Sequence, residues 1–289
     1  HSSNESAVSA MTGSLTIRSL RREEIKLAVD WAAGEGWNPG LNDAACFGAV
    51  DPQGFLVAEI DGQPAAVISV VNYDEAFAFL GFYIVRPELR GRGIGFKLWQ
   101  AGLAHARART IRLAGVVAQQ ANYASQGFQL AYRNIRFVGT PREGEAGDTV
   151  DLAALPFEMI EASDAAIFPA PRTAFLKAWL TAPGHVARAL VRDGALAGWG
   201  VVRPARSGWK IGPLVAQDEE TAEIVFRALR AAAGTGGIVL DVPEPNPSAL
   251  ALARRHGLAP VFETARMYTG PVRPVALEKL YGVTSFELG

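Results

Sequence analysis

The sequence contains little of the chemistry that builds disulfide frameworks or metal sites. Cys46 is the one cysteine among 289 residues, so no internal disulfide can form, and a reducing compartment such as the cytoplasm is the expected location. Four histidines are scattered along the chain and form no recognisable ligand cluster with this cysteine. We therefore expect no metal cofactor.

Strong net charge and long apolar runs are also missing. The formal net charge is −1, which gives no support for nucleic-acid binding. No apolar run approaches the roughly 18 uninterrupted residues that a membrane-spanning helix needs, so no membrane association is expected. Residues 1–10 lack the apolar core of a signal peptide and are expected to be disordered, with Met11 as a candidate natural start.

The chain does have enough apolar material for a large core. It is 49% hydrophobic, and its length of 289 residues predicts about two domains. Residues 140–148 are polar and rich in residues that break regular structure, which is typical of a domain boundary. We predict a first domain at residues 14–140 and a second domain at residues 150–289.

The most informative segment is a glycine loop between a strand and a helix. Apolar residues 77–85 predict the strand, and residues 96–108 predict the helix. Glycine lets the backbone approach a phosphate closely, while unpaired N–H groups and the helix dipole favour negative charge. We therefore predict a diphosphate site built from the six residues of the loop, which are Arg90, Gly91, Arg92, Gly93, Ile94 and Gly95.

The spacing of the loop excludes two common nucleotide sites. A dinucleotide fingerprint needs a third glycine where this chain has Phe96. A nucleoside triphosphate loop ends in Gly-Lys-Ser/Thr, and Lys97 is followed by Leu98. What fits is an Arg-x-x-Gly-x-Gly pattern that begins at Arg90.

Placed after a strand, this pattern resembles the loop of the GNAT (GCN5-related N-acetyltransferase) family. The matching residues are Arg90, Gly93 and Gly95. In that family the loop binds the pyrophosphate of acetyl-coenzyme A. The resemblance therefore implies an α/β fold with a mixed sheet, and acetyl-coenzyme A as the cosubstrate.

The resemblance also implies where the reaction takes place. Two adjacent strands splay beside the loop in the family, so that main-chain groups of Tyr83, Ile84 and Val85 are expected to bond the thioester and the pantetheine. Family members commonly place a general acid four residues before a Gly-Phe turn, as Tyr123 stands before Gly127. A phenol with a pKa of about 10 can protonate a thiolate whose parent thiol is near about 8.5. The alternative is an aromatic side chain that touches the coenzyme without donating a proton.

The loop at residues 34–40 is expected to border the acceptor pocket, as in the family. We predict Glu35, Trp37 and Asn38 as acceptor-binding residues. Glu35 is a candidate general base for the attacking amine, and deprotonation through a chain of water molecules fits the sequence equally well. Trp37 either forms a wall of the pocket or anchors the loop on the core.

The second half looks like a degenerate copy of the first. The spacing from the strand at residues 77–85 to Gly127 repeats from residues 209–215 to Gly257. Three key loop positions of this copy are occupied by Glu220, Glu223 and Val225. Carboxylates repel a diphosphate, and valine puts a side chain where a ligand needs bare backbone. We expect a second GNAT-like domain that does not bind coenzyme A and that covers the acceptor pocket, as in the two-domain group related to the YitH protein.

These observations predict an N-acetyltransferase in which an amine of a small-molecule acceptor attacks acetyl-coenzyme A directly. No enzyme nucleophile is needed, and Cys46 has no evident partner. Two alternatives stay open: a coenzyme A-binding sensor or regulator without turnover, and a structural protein built from two inactive domains. Nothing in the sequence names the acceptor or indicates the oligomeric state.

Overall fold

The computed structural model describes residues 14–289, so the expectations for residues 1–10 and for Met11 lie outside the described residues. The strands are β1 (Leu15–Ser19), β2 (Phe55–Ile60), β3 (Gln63–Asn72), β4 (Phe77–Val85), β5 (Thr110–Val116), β6 (Gln129–Gly139), β7 (Val150–Asp151), β8 (Val186–Arg192), β9 (Ala195–Pro204), β10 (Trp209–Ala216), β11 (Ile238–Pro243), β12 (Ala259–Tyr268) and β13 (Leu280–Gly282). The helices are α1 (Ile25–Gly34), α2 (Asp43–Phe47), α3 (Ile94–Ala106), α4 (Gln120–Ser125), α5 (Phe157–Ile167), α6 (Thr173–Thr181), α7 (Glu219–Ala232) and α8 (Pro247–Arg255).

The strands form one mixed sheet. Their order from edge to edge is β1-β2-β3-β4-β5-β12-β6-β11-β10-β9-β8-β7, and β13 pairs with β10. Two neighbouring pairs are parallel, β4 with β5 and β10 with β11, and each is joined by a crossover helix, α3 or α7. The predicted α/β class with a mixed sheet is confirmed.

The two halves of the chain exchange their last long strands. β6 follows β5 in the chain, yet it pairs with β11 and β12 instead of β5. β12 comes from the second half and takes the place beside β5. The sheet therefore runs across both halves without a break, and the boundary between residues 140 and 150 stays a prediction about units of the sequence.

The elements predicted around the glycine loop are confirmed. β4 has the predicted bounds, and α3 begins at Ile94, inside the loop, instead of at Phe96. β2 and β3 form a hairpin through Asp61 and Gly62, which both have positive φ angles. Nearer the start of the described chain, a short 3-10 turn at Arg22–Glu24 precedes α1.

The core joins the two halves. Its largest cluster contains Phe47 and Phe82 from the first half together with Trp179 and Trp199 from the second. Phe47 stacks on Trp179 with the ring centroids 6.2 Å apart. Large aromatic side chains dominate the energetics of burial, so the halves pack as one body.

Two buried ion pairs also cross between the halves. Arg203 on β9 binds Asp43 at the start of α2 with an N–O distance of 3.0 Å, and Arg136 on β6 binds Asp241 on β11 through two bonds of 2.8 and 2.9 Å. Burial alone would raise the pKa of both carboxyls, but the charge of the neighbouring arginine overcomes this effect and each pKa lies below its usual value. The paired charges offset the desolvation of both groups.

Residues 280–289, which we call the closing segment, run from the second half back to the first. Its first part is β13, and the Val283 N–H then donates to the Asp241 carbonyl over 2.8 Å. Further on, the Leu288 carbonyl accepts a hydrogen bond of 2.6 Å from the hydroxyl of Tyr73, which follows β3. Residues 280–288 are buried, so the closing segment is part of the core of both halves.

Candidate active site

Two parallel strands part beside the glycine loop. The ladder between β4 and β5 ends at the pair Leu80 and Leu113, although both strands continue. The edge of β4 from residue 81 to residue 85 therefore faces a cleft. Phe82, with a φ of +49°, lies where the register between β3 and β4 shifts, which bends the strand at this point. The predicted splay is confirmed.

The glycine loop leaves open backbone at the start of α3. Gly91 and Gly93 have φ angles of +78° and +79°, and no atom lies within 4 Å of the place that a Cβ would take at either residue. Gly93 is the N-cap residue of the 13-residue helix α3 and contributes no side-chain cap to that end. The first N–H groups of the helix and its dipole therefore favour an anion at this place.

Arg90 and Glu35 form an ion pair across the cleft. The guanidinium lies 2.9 Å from a carboxylate oxygen of Glu35, and Arg90 Nε also donates to the Val85 carbonyl over 3.0 Å. The two side chains are 52% and 34% exposed, so the pair contributes at most about 1 kcal/mol. The predicted phosphate ligand and the predicted base are thus bonded to each other, by an interaction weak enough for a charged ligand to displace.

A cavity of about 540 Å³ occupies the cleft. Aromatic side chains line one end of it: Tyr83 contacts Trp99 edge-on at 5.3 Å, and Trp99 stacks on Tyr123 at 5.9 Å between ring centroids. The Tyr123 ring lies against Gly115, where a Cβ would overlap it. Burial raises the pKa of Tyr123, and burial together with the neighbouring Tyr123 raises the pKa of Tyr83 to about 12. Both phenols therefore keep their protons at neutral pH.

The other end of the cavity comes from strand β6, strand β12 and the closing segment. Its residues are Arg136, Phe262, Thr264, Phe286 and Glu287. Phe262 and Phe286 are in ring contact at 6.4 Å, and the Arg136 guanidinium lies 4.9 Å from the centroid of Phe286. The second half of the chain therefore supplies part of the wall of this cavity, through Phe262, Thr264, Phe286 and Glu287.

The three predicted acceptor residues have different surroundings. Glu35 and Trp37 line the cavity. Trp37 also packs on the core, and its carbonyl accepts a bond of 2.9 Å from Arg136, so it is both wall and anchor. Asn38 is bonded to Ser207 of the second half through two hydrogen bonds of 2.8 Å each. This contact connects the halves, and a role of Asn38 in acceptor binding stays a prediction.

The corresponding cleft of the second half is filled by the chain itself. β10 and β11 pair only as far as Ile211 and Leu240, and β13 occupies the gap beyond them. The helix that follows, α7, is capped by Asp218, whose carboxylate accepts a bond of 2.8 Å from the Thr221 N–H. Both features support the prediction that the second half does not bind coenzyme A.

None of the five residues at that end of the cavity was predicted from the sequence, namely Arg136, Phe262, Thr264, Phe286 and Glu287. Local patterns give no signal for them, because the exchanged strands and the closing segment bring them to β4 from distant parts of the chain. Within residues 14–289, no group of three or more His, Cys, Asp or Glu side chains is arranged to hold a metal ion. None of the helices in these residues is long and apolar enough to cross a membrane.

Parallel strands that part beside a glycine loop and an uncapped helix start define the class of the protein, an acyl-coenzyme A N-acyltransferase fold. The "Acetyltransferase (GNAT) family" model matches residues 19–129, and the "Acetyltransferase (GNAT) domain" model matches residues 160–282. Holothin acyltransferase of Pseudoalteromonas sp. (strain SANK 73390) is 30% identical over 270 residues, which are 92% of each chain. The protein therefore belongs to the GNAT family of acyltransferases and contains two GNAT domains.

Solved structures show the same fold. A candidate acetyltransferase from Pyrococcus horikoshii superposes with a TM-score of 0.80 at 24% identity, over 96% of both chains. A tandem GNAT protein from the clavulanic acid biosynthesis pathway superposes with a TM-score of 0.63 at 18% identity, over 89% of this chain and 99% of its own. The second likeness extends the agreement to the tandem arrangement of the two domains.

Proposed function

We propose that the protein is an N-acetyltransferase that moves the acetyl group of acetyl-coenzyme A to an amine of a small-molecule acceptor. The observation that carries this proposal is the one open splay in the described chain, between β4 and β5, with the glycine loop beside it. Its cavity of about 540 Å³ has the size of a small-molecule site. The likeness to a holothin acyltransferase supports acyl transfer as the reaction.

The residues of the cleft fit the donor. The open backbone at Gly91 and Gly93 and the start of α3 would hold the diphosphate, with Arg90 available once it leaves Glu35. The unpaired edge of β4 at residues 81–85 would bond the pantetheine and the thioester oxygen through the main chain. When bound, acetyl-coenzyme A supplies the polarised carbonyl and a thiol leaving group.

Tyr123 is the proposed general acid. Its ring lines the cavity, and burial raises its pKa, so the phenol is protonated at neutral pH and can donate to the departing sulfur. Tyr83 has the same chemistry but its hydroxyl lies close to Gly95, within 2.6 Å of the place that a Cβ would take there. Tyr83 is therefore the matched control for Tyr123.

The test measures acceptor-dependent thiol release from acetyl-coenzyme A with a panel of amines. We expect Tyr123→Phe to lower the rate by about 10²- to 10⁴-fold, because general acid catalysis is lost, and to leave acetyl-coenzyme A binding unchanged. Tyr83→Phe should keep most of the rate. The opposite pattern would transfer the role of acid to Tyr83.

Donor binding is tested separately by calorimetry with Gly93→Val. A side chain in open backbone should block the diphosphate, whereas Gly62→Val, at another positive φ in the β2–β3 hairpin, should not change binding. Saturable binding without any acceptor-dependent thiol would identify a sensor. No binding to the wild-type protein would contradict the proposed function as a whole.

A further inference from the structure

Glu287, in the closing segment, places a buried carboxylate in the cavity. The residue is 4% exposed and belongs to the cavity lining. Its main chain lies directly on Gly81, where a Cβ would overlap the Glu287 carbonyl oxygen. Gly81 is the first residue of β4 beyond the end of the ladder with β5. The carboxylate is therefore positioned where the two strands part.

Within residues 14–289 Glu287 forms no ion pair, although the nearby charges of Arg136 and Lys210 interact with it electrostatically. Of the carboxylates buried in residues 14–289, Glu287 is the one with an oxygen, Oε2, that has no hydrogen-bond partner. Arg136, which also lines the cavity, is already engaged by Asp241 and by the Trp37 carbonyl. Lys210 Nζ is likewise without a partner, so Lys210 and Glu287 do not bond each other. A buried carboxylate in this state is poised for a cationic ligand.

Apart from Arg136 and Thr264, the rest of that end of the cavity is aromatic. Its rings are those of Trp37, Phe82, Phe262 and Phe286. Aromatic faces attract cations and pack on flat apolar ligands. One unpaired carboxylate among four aromatic side chains is complementary to a flat ring that carries a single ammonium group.

We propose that Glu287 recognises the acceptor, and that its carboxylate binds the ammonium of an arylalkyl primary amine whose ring packs on these aromatic side chains. This inference deepens the proposed acetyltransferase function and rests on it. Glu287 replaces Glu35 as the base, because Glu35 is paired with Arg90 whereas Glu287 Oε2 is unpaired.

The protons of the ammonium then have defined destinations. One proton passes to Glu287 Oε2, which leaves a neutral amine with a free electron pair. As the C–N bond forms and the C–S bond breaks, the Tyr123 hydroxyl gives its proton to the departing thiolate. The nitrogen in turn gives its second proton to Tyr123. The third proton stays on the amide nitrogen, and the proton on Glu287 is released to water.

The test compares the binding of benzylamine with that of its neutral isostere benzyl alcohol by calorimetry. The proteins are the wild type, Glu287→Gln, Glu287→Asp and the control Glu244→Gln, which changes an exposed carboxylate outside the cavity lining. We expect benzylamine to bind at least about tenfold more weakly to Glu287→Gln, because a bond between two charged groups is lost. Glu287→Asp keeps the charge and should retain more of the affinity, and benzyl alcohol should bind all four proteins equally.

Three outcomes would overturn the inference: equal binding of benzylamine to the wild type and Glu287→Gln, equal weakening of both ligands, or no binding of benzylamine to the wild type. Unfolding temperatures of the same samples establish that the variants are folded. Acetyl-coenzyme A binding, measured in parallel, tests the proposed function separately. If the wild type did not bind acetyl-coenzyme A, the acetyltransferase proposal would be contradicted. The amine titrations would still decide whether Glu287 binds an ammonium.

Discussion

Each half of this protein contains two parallel strands that part, but the gap between them is open in the first half and filled in the second. β4 and β5 part after Leu80, and a cavity of about 540 Å³ remains between them. β10 and β11 part after Ile211, and β13 fills the space. The helix that follows starts at an open glycine in the first half and at an Asp218 cap in the second. In this fold a binding cleft is therefore a gap that the rest of the chain leaves open, and the strands alone do not create it.

The closing segment connects these two outcomes. Its first part fills the second cleft, and its next residues put Phe286 and Glu287 into the first. The second half thus has its own cleft filled and forms part of the wall of the other. Strand exchange makes this possible, because β12 already lies beside β5.

The largest expected effect comes from loosening the filled cleft. Leu280→Ala shortens a side chain that is 3% exposed, and we expect it to lower the free energy of unfolding by about 2–5 kcal/mol, since it leaves a cavity. Val272→Ala, at a position 52% exposed, is the control and should stay within about 0.5 kcal/mol. Urea unfolding measures both. A small effect of Leu280→Ala would mean that β13 does not hold the second cleft shut.

A second prediction concerns the buried charge on β10, next to the point where that strand leaves β11. Burial, together with Arg136 and Arg203, lowers the pKa of Lys210 to about 8, from an ordinary value of 10.5. Between these two pKa values, Lys210 keeps its proton in the unfolded chain but has lost it in the folded chain. The free energy of unfolding therefore rises with pH across this window, and this gain is lost as the pH falls to about 8. Lys210→Met should raise the free energy of unfolding at pH 7 by on the order of 2–3 kcal/mol.

The advantage of Lys210→Met over the wild type should shrink as the pH rises above about 8. Denaturant unfolding at pH 7, 9 and 10 measures it, with Lys26→Met at an exposed position as the control. If Lys210→Met were less stable than the wild type at pH 7, the charge of Lys210 would stabilise the fold by neutralising the buried carboxylates.

The smallest expected effect concerns the start of α3, where the helix packs closely on β4. At Gly95 a Cβ would lie 2.6 Å from the Tyr83 hydroxyl oxygen and 2.8 Å from a methyl of Val85, which is overpacked. Alanine gains helix propensity, so we expect a net loss of only about 1–2 kcal/mol for Gly95→Ala. Gly34→Ala, at the end of α1 with no atom within 4 Å, should instead gain up to about 1 kcal/mol. If thermal unfolding showed that both substitutions stabilise the protein, or that both destabilise it, the close packing of α3 on β4 would be contradicted.

The first half was predictable because its signals are local. The strand, the loop and the helix that form the proposed donor site lie between residues 77 and 106, and strand period, glycine backbone and helix start are all encoded within a few residues. The splay followed from the family resemblance. In the second half α7 begins directly after its Asp218 cap, and Val225, which the spacing matches to Gly95, lies inside that helix and is fully buried.

The acceptor end of the cavity was not predictable, because its contacts are not local in the sequence. The bonds between Asn38 and Ser207 were not expected, and Glu287 was not considered as a site residue. Each of these contacts joins residues far apart in the chain, and no local pattern reports the pairing of β6 with β11 or of β12 with β5. Register between distant strands depends on packing across the whole sheet.

By itself the sequence determined the fold family and the position of the glycine loop, because these depend on backbone freedom and side-chain size at individual residues. Tertiary structure alone decided which cleft stays open and which carboxylate enters it. Those outcomes depend on where the closing segment lies once the two halves have exchanged strands, and that position is set by burial and hydrogen bonding across the entire sheet.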